Sequence, residues 1–319
     1  MINKPLAMRD VFLEKIWKQM SVDSSIFFIT ADFGSPVLDK IRRDFPSRFI
    51  NVGIAEQNLI NITAGLAIEG FTVFAYAIAP FITMRCFEQI RVSLSLLSEV
   101  RPMNVSLIGV GAGYSYVVSG PTHQCYEDIT IMRALPNFQI LSPSDHVSAG
   151  ELFDNSLKNQ GLKYLRFDAQ VLPVIYEKNL PLMLDGFHQH SKGNQVCLVA
   201  TGFMTHTALK VVDEISTNGQ HLGLIDIFNL TNFSGSKFLA IIANYSVIIS
   251  LEEGFSGRGG LDAMLTEFIM KNDLNIKVIG IGVNPGYSFE LGTRQELHEK
   301  VGIGFQSVLK KIRSVLSKK

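Results

Sequence analysis

The chain has 319 residues, of which 47% are hydrophobic and only 18% charged, so it is long and apolar enough for two folded domains and is not a disordered protein. Its 29 Lys and Arg residues balance 29 Asp and Glu residues, and a net charge of zero provides no overall field for nucleic acid or an anionic membrane. The longest uncharged apolar stretch, residues 71–84, contains a proline and is shorter than the roughly 20 residues of a membrane-spanning helix. The N-terminus shows no signal-peptide pattern, and the three cysteines form no CxxC pair. We therefore expect a cytoplasmic protein with free thiols and no bound metal.

Short apolar strands alternate with amphipathic helices along the first half of the chain. In order, we predict a helix at 8–20, strands at 26–30 and 49–52, a helix at 56–69, a strand at 72–76, a helix at 81–97, strands at 105–110 and 139–141, and a helix at 147–160. This alternation is typical of a parallel sheet that is covered by helices on both faces.

A polar segment interrupts this pattern, which then resumes. We predict strands at 196–200, 222–226, 247–251 and 276–281, and helices at 205–216 and 261–270. The fold class is therefore α/β, with two domains that are each a mainly parallel sheet covered by helices. We place the first domain at residues 1–178, a linker at 179–194 and the second domain at 195–319.

Three residues that follow predicted strands are candidates for a site. Glu56, in Val52-Gly-Ile-Ala-Glu56-Gln-Asn, opens a helix at the carboxyl edge of the sheet, where ligands bind in α/β folds. The helix dipole, which favours an acidic residue in the first turn, explains Glu56 equally well. His123, in Gly120-Pro-Thr-His123-Gln, and Phe81, after an apolar strand, are by themselves more typical of a hydrogen-bonded loop histidine and a core aromatic residue.

Two further patterns are weaker signals. Gly257-Arg-Gly-Gly260 lies between a strand and a helix, where backbone amides bind anions in some proteins, although a tight connection is the more common reason for such glycines. His188 and His190 form an HxH pair in the predicted linker, and no other metal ligands lie near them in the sequence. We expect no metal site there.

Four motifs in order resemble the pyrimidine-binding domain of transketolases. They are Ala31-Asp-Phe-Gly-Ser35, Gly53-Ile-Ala-Glu56-Gln-Asn, Phe81 with Phe87-Glu-Gln-Ile-Arg91, and Gly120-Pro-Thr-His123-Gln. Leu251-Glu-Glu-Gly254 with Gly259-Gly260, and Gly292 with Gly302-Ile, are similar to the C-terminal domain of the same family. The sequence contains no Gly-Asp-Gly, the segment with which complete transketolases hold Mg²⁺ and the diphosphate of their cofactor.

The resemblance implies the C-terminal (beta) subunit of a split, thiamine diphosphate-dependent transketolase. Such a transferase moves a ketol unit from a ketose donor to an aldose acceptor and is active only with a partner. The expected partner is an N-terminal transketolase subunit that carries the diphosphate-binding domain and Mg²⁺, so that the two chains share the cofactor. Two copies of each subunit would form a heterotetramer that acts on sugars or sugar phosphates.

The same resemblance assigns roles to the cofactor-facing residues. Glu56 hydrogen-bonds a ring nitrogen of the aminopyrimidine, and Phe81 stacks on that ring. Ile78 and Met84 take two positions near the thiazolium that are usually aromatic. His123 hydrogen-bonds the ketol oxygen of the donor or the aldehyde of the acceptor.

The substrate-binding residues follow from the resemblance in the same way. Arg166, in Tyr164-Leu-Arg-Phe, matches an arginine that binds the substrate phosphate, although an ion pair would explain it equally well. Arg9 and Ser35 match other phosphate contacts. Ser119 stands where many transketolases have an aspartate that contacts a substrate hydroxyl, so the preferred stereochemistry and the identity of both sugars stay open.

Two other interpretations remain, a second type of enzyme and a protein without catalytic activity. The beta subunit of a 2-oxo acid dehydrogenase and an enzyme similar to deoxyxylulose-phosphate synthase share the fold and the glutamate, but Gly120-Pro-Thr-His123-Gln favours transketolase over the dehydrogenase. The third possibility is a non-catalytic scaffold subunit, which would have no need of a carboxyl group at Glu56.

Overall fold

The computed structural model describes residues 4–177 and 185–317. The predicted domain boundary at residue 178 and the start of the predicted linker lie outside these described residues. The first part contains α1 (Met8–Met20), β1 (Ile26–Thr30), α2 (Pro36–Asp44), β2 (Phe49–Asn51), α3 (Glu56–Ile68), β3 (Thr72–Ile78), α4 (Phe87–Gln89), β4 (Asn104–Val110), α5 (Asp128–Arg133), β5 (Phe138–Leu141), α6 (His146–Lys158) and β6 (Gly161–Phe167). The second contains β7 (Phe187–Ser191), β8 (Val196–Ala200), α7 (Met204–Ser216), β9 (Gly223–Ile227), α8 (Gly235–Ile242), β10 (Val247–Phe255), α9 (Leu261–Lys271), β11 (Lys277–Val283), α10 (Arg294–Lys300) and α11 (Phe305–Leu316).

The first sheet has six parallel strands in the order β2-β1-β3-β4-β6-β5. Successive side chains of each strand point to opposite faces, and both faces are apolar. Phe28 and Phe74 pack with Phe12 of α1 in one core cluster. Ile29 and Val73 belong to the cluster of the opposite face, together with buried residues of α3 and α5. The predicted parallel sheet between two helical layers is thus confirmed.

The predicted helix at 81–97 has an unusual geometry. Phe81–Arg85 and Ile90–Leu96 wind as π-helix on either side of the short α4. π-Helical turns are rare and often occur at functional sites, because the wider turn changes where its side chains point.

The second sheet has the order β11-β10-β8-β9-β7, and all its pairs are parallel except β7 with β9. β7 lies within the segment predicted as linker. Its sequence, Phe187-His-Gln-His-Ser191, lacks the apolar alternation that would have predicted a strand. Backbone pairing with β9 makes this segment a strand. β6, inside the first sheet, is also absent from the predicted strands. Lys163 and Arg166 interrupt the apolar pattern of its sequence.

The two sheets share a continuous core. One buried cluster runs from Val73 and Leu107 of the first sheet to Val199 and Ile225 of the second. The amide of Leu230 also donates to the carbonyl of Ile140 at 2.9 Å. In the part of the chain that the structure describes, no helix is long and apolar enough to cross a membrane.

Candidate active site

The candidate site lies at the carboxyl edge of the first sheet. Because β2, β1, β3 and β4 are neighbours, the segments that follow them meet at one edge. The turn from β2 into α3 passes through Gly53, whose φ of +71° favours glycine, and ends at Glu56, the first residue of α3. Gly120, with φ +69°, makes the corresponding turn before His123. Two motif glycines thus direct Glu56 and His123 to the same edge.

Glu56 is a buried carboxylate held by an arginine. Its side chain is only 2% exposed, and its Oε2 accepts a hydrogen bond of 2.6 Å from Nη1 of Arg85. Arg85 ends the first π-helical turn, and its side chain is 43% exposed. The ion pair therefore has its carboxylate inside the protein and its arginine partly exposed to solvent.

Phe81 connects Glu56 with His123. The guanidinium carbon of Arg85 lies 4.4 Å from the centroid of the Phe81 ring, over its face. The ring of His123 meets the same phenyl ring edge-on, with centroids 5.2 Å apart. The structure thus brings Glu56, Phe81 and His123 into one cluster, with Arg85 between the first two.

The His123 loop is a tight turn that orients the imidazole. The amides of His123 and Gln124 both donate to the carbonyl of Gly120, and Oγ1 of Thr122 lies 2.9 Å from Nδ1 of His123. A hydrogen bond at Nδ1 leaves Nε2 as the ring nitrogen able to serve a ligand. The His123 side chain is partly exposed, so a ligand in the cleft has access to it.

Arg9 and Ser35 line an adjacent cavity of about 450 Å³ that also includes Asp32 and Arg42. The Ser35 hydroxyl donates to Asp10 at 3.0 Å and caps α2 through the amide of Val37. Arg9 pairs with the same Asp10 at 2.9 Å. Both predicted phosphate contacts are therefore already engaged within the protein, and both line the same cavity.

Tyr116 lies beside His123. Its ring centroid lies 6.4 Å from that of His123. Burial raises the pKa of Tyr116 to about 12, while the positive charge of Arg9 acts in the opposite direction. Tyr116 therefore stays neutral at neutral pH. Its position four residues before Gly120 gave no sequence signal.

The other predicted cofactor and substrate residues have less constrained positions. Ile78 is the last residue of β3 and is partly buried, and Met84 is 39% exposed on the π-helical turn that carries Phe81. Ser119 is exposed at the start of the His123 loop.

Arg166, which we predicted to contact a substrate phosphate, is already paired inside the protein. Arg166 is 2% exposed, and its Nε donates to Asp128 at 2.7 Å. Its Nη2 also donates to the carbonyl of Glu253 at 3.0 Å, across the domain contact. The guanidinium therefore links the two domains within the protein interior. Asp128, 38 residues away in sequence, neutralises its charge there.

The Gly257–Gly260 segment is also filled by the protein itself. The side chain of Glu252 accepts from the amides of Leu261 and Asp262, at 2.8 and 3.4 Å, at the start of α9. Burial raises the pKa of Glu252 to about 7. The tight-connection interpretation of these glycines is therefore the correct one, because a carboxylate of the chain already takes the amides that an anion would use.

Comparison with known proteins identifies the family. Residues 4–174 match the family model of the transketolase pyrimidine binding domain, and residues 187–308 match that of the transketolase C-terminal domain. The chain belongs to the transketolase family. It is 28% identical over 293 residues to a putative transketolase C-terminal section of Methanocaldococcus jannaschii, and the match covers 89% of this chain and 88% of that protein. It is 26% identical over 312 residues to one of the subunits of the apulose-4-phosphate transketolase of Phocaeicola vulgatus, with 97% of each chain covered.

A solved structure has the same architecture. It is described as a split gene transketolase in the form of an inactive beta4 tetramer, and it matches with a TM-score of 0.85 at 26% identity. The match covers 98% of this chain and 99% of that one. Both the sequence relatives and the solved structure are therefore transketolase chains of similar length and domain content.

The cofactor of transketolases is thiamine diphosphate, and the residues present fit its aminopyrimidine. The guanidinium of Arg85, a planar group with N–H donors, stacks on Phe81 and hydrogen-bonds Glu56. A planar nitrogen heterocycle needs those same two contacts. For a metal the result differs: among residues 4–177 and 185–317, no group of three or more His, Cys, Asp or Glu side chains could hold an ion.

Proposed function

We propose that this chain is the C-terminal subunit of a thiamine diphosphate-dependent transketolase that transfers a ketol unit from a ketose to an aldose. The observation that carries the proposal is the cluster of Glu56, Phe81 and His123 at one edge of the first sheet. It brings together an acid for the pyrimidine, a ring for stacking and an imidazole for the substrate oxygen.

Each residue has a defined task in this proposal. The cofactor, when bound, supplies the nucleophilic carbon and the electron sink. Glu56 hydrogen-bonds a pyrimidine nitrogen and exchanges a proton with it, Phe81 fixes the plane of that ring, and His123 donates to the oxygen of the ketose or aldose. Burial of the Glu56 carboxylate strengthens its interaction with the ring, because water competes poorly at a 2% exposed side chain.

The partner in this proposal is an N-terminal transketolase subunit that holds the diphosphate and Mg²⁺. The surface beside Glu56 supports such a partner, because apolar side chains are exposed there. Ile54 is 76% exposed before α3, and Met84, Val92 and Leu96 of the adjoining helical segment are 39%, 43% and 52% exposed. The description of the matched split-gene structure as inactive agrees with a site that needs a second type of chain. We propose two copies of each subunit in the assembly.

The substrates in this proposal are sugars or sugar phosphates. Arg9 and Ser35, which line the neighbouring cavity, are the groups for a terminal phosphate or hydroxyl, and Arg166 is not one of them. The P. vulgatus relative is named for apulose 4-phosphate, which is consistent with a short phosphorylated ketose.

The experiment that tests this function compares the chain alone, the N-terminal subunit alone and their mixture. Each is assayed with thiamine diphosphate, Mg²⁺ and a panel of ketose donors and aldose acceptors, with and without phosphate. We expect ketol transfer from the mixture only. Full activity of the chain alone would contradict the split site, and turnover of pyruvate in place of the ketose would favour the dehydrogenase or synthase interpretation.

A further inference from the structure

Arg85 makes the two contacts that the pyrimidine ring is expected to make. Its Nη1 donates to Oε2 of Glu56 at 2.6 Å, and its guanidinium lies 4.4 Å from the centroid of Phe81. In the described part of the chain, Arg85 is the one cationic side chain that both pairs with Glu56 and lies over the ring of Phe81. The guanidinium is planar, carries N–H donors and stacks on aromatic faces, as a protonated or amino-substituted heterocycle does.

The two groups need the same space. A ring that reaches Oε2 of Glu56 while it stacks on Phe81 must enter the volume between them, and the Arg85 guanidinium fills that volume. Both cannot be there at once. Arg85 has a way out, because 43% of its side chain is exposed, whereas Glu56 is fixed at the first turn of α3.

We propose that Arg85 is a positioning residue that holds the place of the pyrimidine in the cofactor-free chain and moves aside when the cofactor binds. This inference rests on the proposed function. In the free chain Arg85 neutralises the Glu56 carboxylate, which would otherwise be a buried charge without a partner. The carboxylate and the Phe81 ring are thereby kept in the geometry that the cofactor needs.

Such a residue has a measurable cost. The cofactor must displace Arg85 from Glu56 before it can bind there. Its apparent affinity is therefore lowered by the fraction of chains in which Arg85 still pairs with Glu56. Removal of the guanidinium removes this competition and also leaves Glu56 unpaired in the free chain. The proposal therefore predicts tighter cofactor binding and a less stable free chain from the same substitution.

The test uses Arg85→Met, which keeps most of the stem without the charge, and Arg101→Met, an exposed arginine near the opposite edge of the sheet, as the matched control. Thiamine diphosphate with Mg²⁺ is titrated by calorimetry into the assembly with the N-terminal subunit. We expect the Kd of Arg85→Met to fall by about tenfold, the change that corresponds to one lost charge-assisted hydrogen bond. The Kd of Arg101→Met stays at the wild-type value.

A second readout needs no cofactor. Arg85→Met lowers the melting temperature of the free chain more than Arg101→Met does, and the difference shrinks when Glu56→Gln is present, because the unpaired charge is then gone. If Arg85→Met does not fold, Arg85→Lys replaces it. Lysine keeps the charge but not the planar stacking group, so its Kd is also expected below the wild-type value.

The outcomes separate this inference from the proposed function. A wild-type assembly that binds no thiamine diphosphate contradicts both. A wild-type assembly that binds the cofactor, with an Arg85 variant that binds it equally or more weakly, contradicts only the role of Arg85, because Arg85 then either stays in place or contacts the cofactor itself.

Discussion

Two buried glutamates in this molecule are each held by an arginine, and the two pairs differ in how firmly. Glu56 and Glu253 are 2% and 1% exposed. The partner of Glu56, Arg85, is 43% exposed, whereas the partner of Glu253, Arg294, is 6% exposed. The first pair lies at the edge of a sheet and the second between the two domains.

The Glu253 pair belongs to a closed network. Arg294 donates to Glu253 through Nε and Nη2 at 2.9 and 2.5 Å, and its Nη1 lies 2.6 Å from Asp168 of the first domain. Nε2 of His298 lies 2.5 Å from Glu253, and the Arg294 guanidinium stacks on Phe203 at 3.7 Å. Burial by itself would raise the pKa of Glu253, but Arg294 and His298 outweigh it and hold the pKa below its usual range.

The two pairs therefore differ in how accessible their arginines are to solvent. A buried arginine that contacts both Glu253 and Asp168 cannot leave without depriving two buried carboxylates of their arginine. The Glu56–Arg85 pair has one hydrogen bond and a partly exposed arginine, so it can open at a lower cost. Glu253 therefore helps to hold the domains together, and the Glu56 pair is the one that we propose a ligand opens.

Arg294→Met is expected to give the largest loss of stability. It leaves Glu253 and Asp168 buried without their arginine, and breaking such a pair costs about 3–5 kcal/mol of unfolding free energy. Urea denaturation of the free chain measures it. The control is Arg313→Met, which breaks an exposed pair with Glu214 (side chains 52% and 45% exposed) and is expected to cost under about 1 kcal/mol. Equal losses for both variants would remove the distinction between the networks.

Arg166→Met tests whether Arg166, like Arg294, contributes to stability through a buried ion pair. We expect a loss of about 3 kcal/mol, because Asp128 stays buried without its partner. Urea denaturation gives the stability, and steady-state kinetics of the assembly give KM. The KM for a phosphorylated donor should stay unchanged in the fraction that folds. A large rise in KM with wild-type stability would restore Arg166 as a phosphate contact.

His123→Gln is expected to affect activity rather than stability. If His123 serves the substrate oxygen as proposed, loss of its imidazole should lower kcat/KM of the assembly by roughly a hundredfold, as for other residues that move or share a proton. The melting temperature should stay near the wild-type value, because His123 is partly exposed. His221→Gln, an exposed histidine of the second domain, is the control and should change neither quantity.

The smallest expected effect is a pH dependence at the domain contact, where Tyr176 bridges Asp226 and His190 at 2.5 and 3.2 Å. Burial raises the pKa of Asp226 from 3.8 to about 6, so its stabilising contribution is lost as the pH rises through that range. Burial and the neighbouring His188 lower the pKa of His190 from 6.5 to about 4, so its contribution is lost as the pH falls. In the wild type the two effects oppose each other.

Substituting one of the two residues should make the pH dependence caused by the other one visible. Between pH 4 and 6, Asp226→Asn should lose stability as the pH falls, and His190→Gln should lose it as the pH rises, each on the order of 1 kcal/mol per pH unit. Thermal unfolding across this pH range measures both. Identical pH profiles for the two variants would contradict these assignments.

Much of the fold could be predicted from periodicity. The bounds of α1, β1 and β8 agree with the predicted segments, because their buried residues repeat with helical or strand spacing. β6 and β7 could not be found in this way. Tertiary pairing, rather than an apolar pattern, places Lys163 within β6, where its ammonium group donates to Asn104 at 2.6 Å.

The site was only partly predictable for a similar reason. Short motifs located Glu56, Phe81 and His123, because each follows a strand that has a clear pattern. Arg85 had no such signal, since only the π-helical turn and the burial of Glu56 bring the two together. The ion pair of Arg166 with Asp128 could not be predicted, because the sequence does not show that the two residues lie opposite each other.

The central claim is that Glu56 serves the cofactor and not the fold. The direct test is the rate of thiamine diphosphate-dependent ketol transfer by the assembly that carries Glu56→Gln, with Glu69→Gln, an exposed residue at the end of the same helix, as the control. We predict a loss of about a thousandfold or more for Glu56→Gln with an unchanged oligomeric state, and wild-type rates for Glu69→Gln. An assembly with Glu56→Gln that keeps the full wild-type rate would contradict the catalytic role of Glu56 and support a scaffold subunit instead.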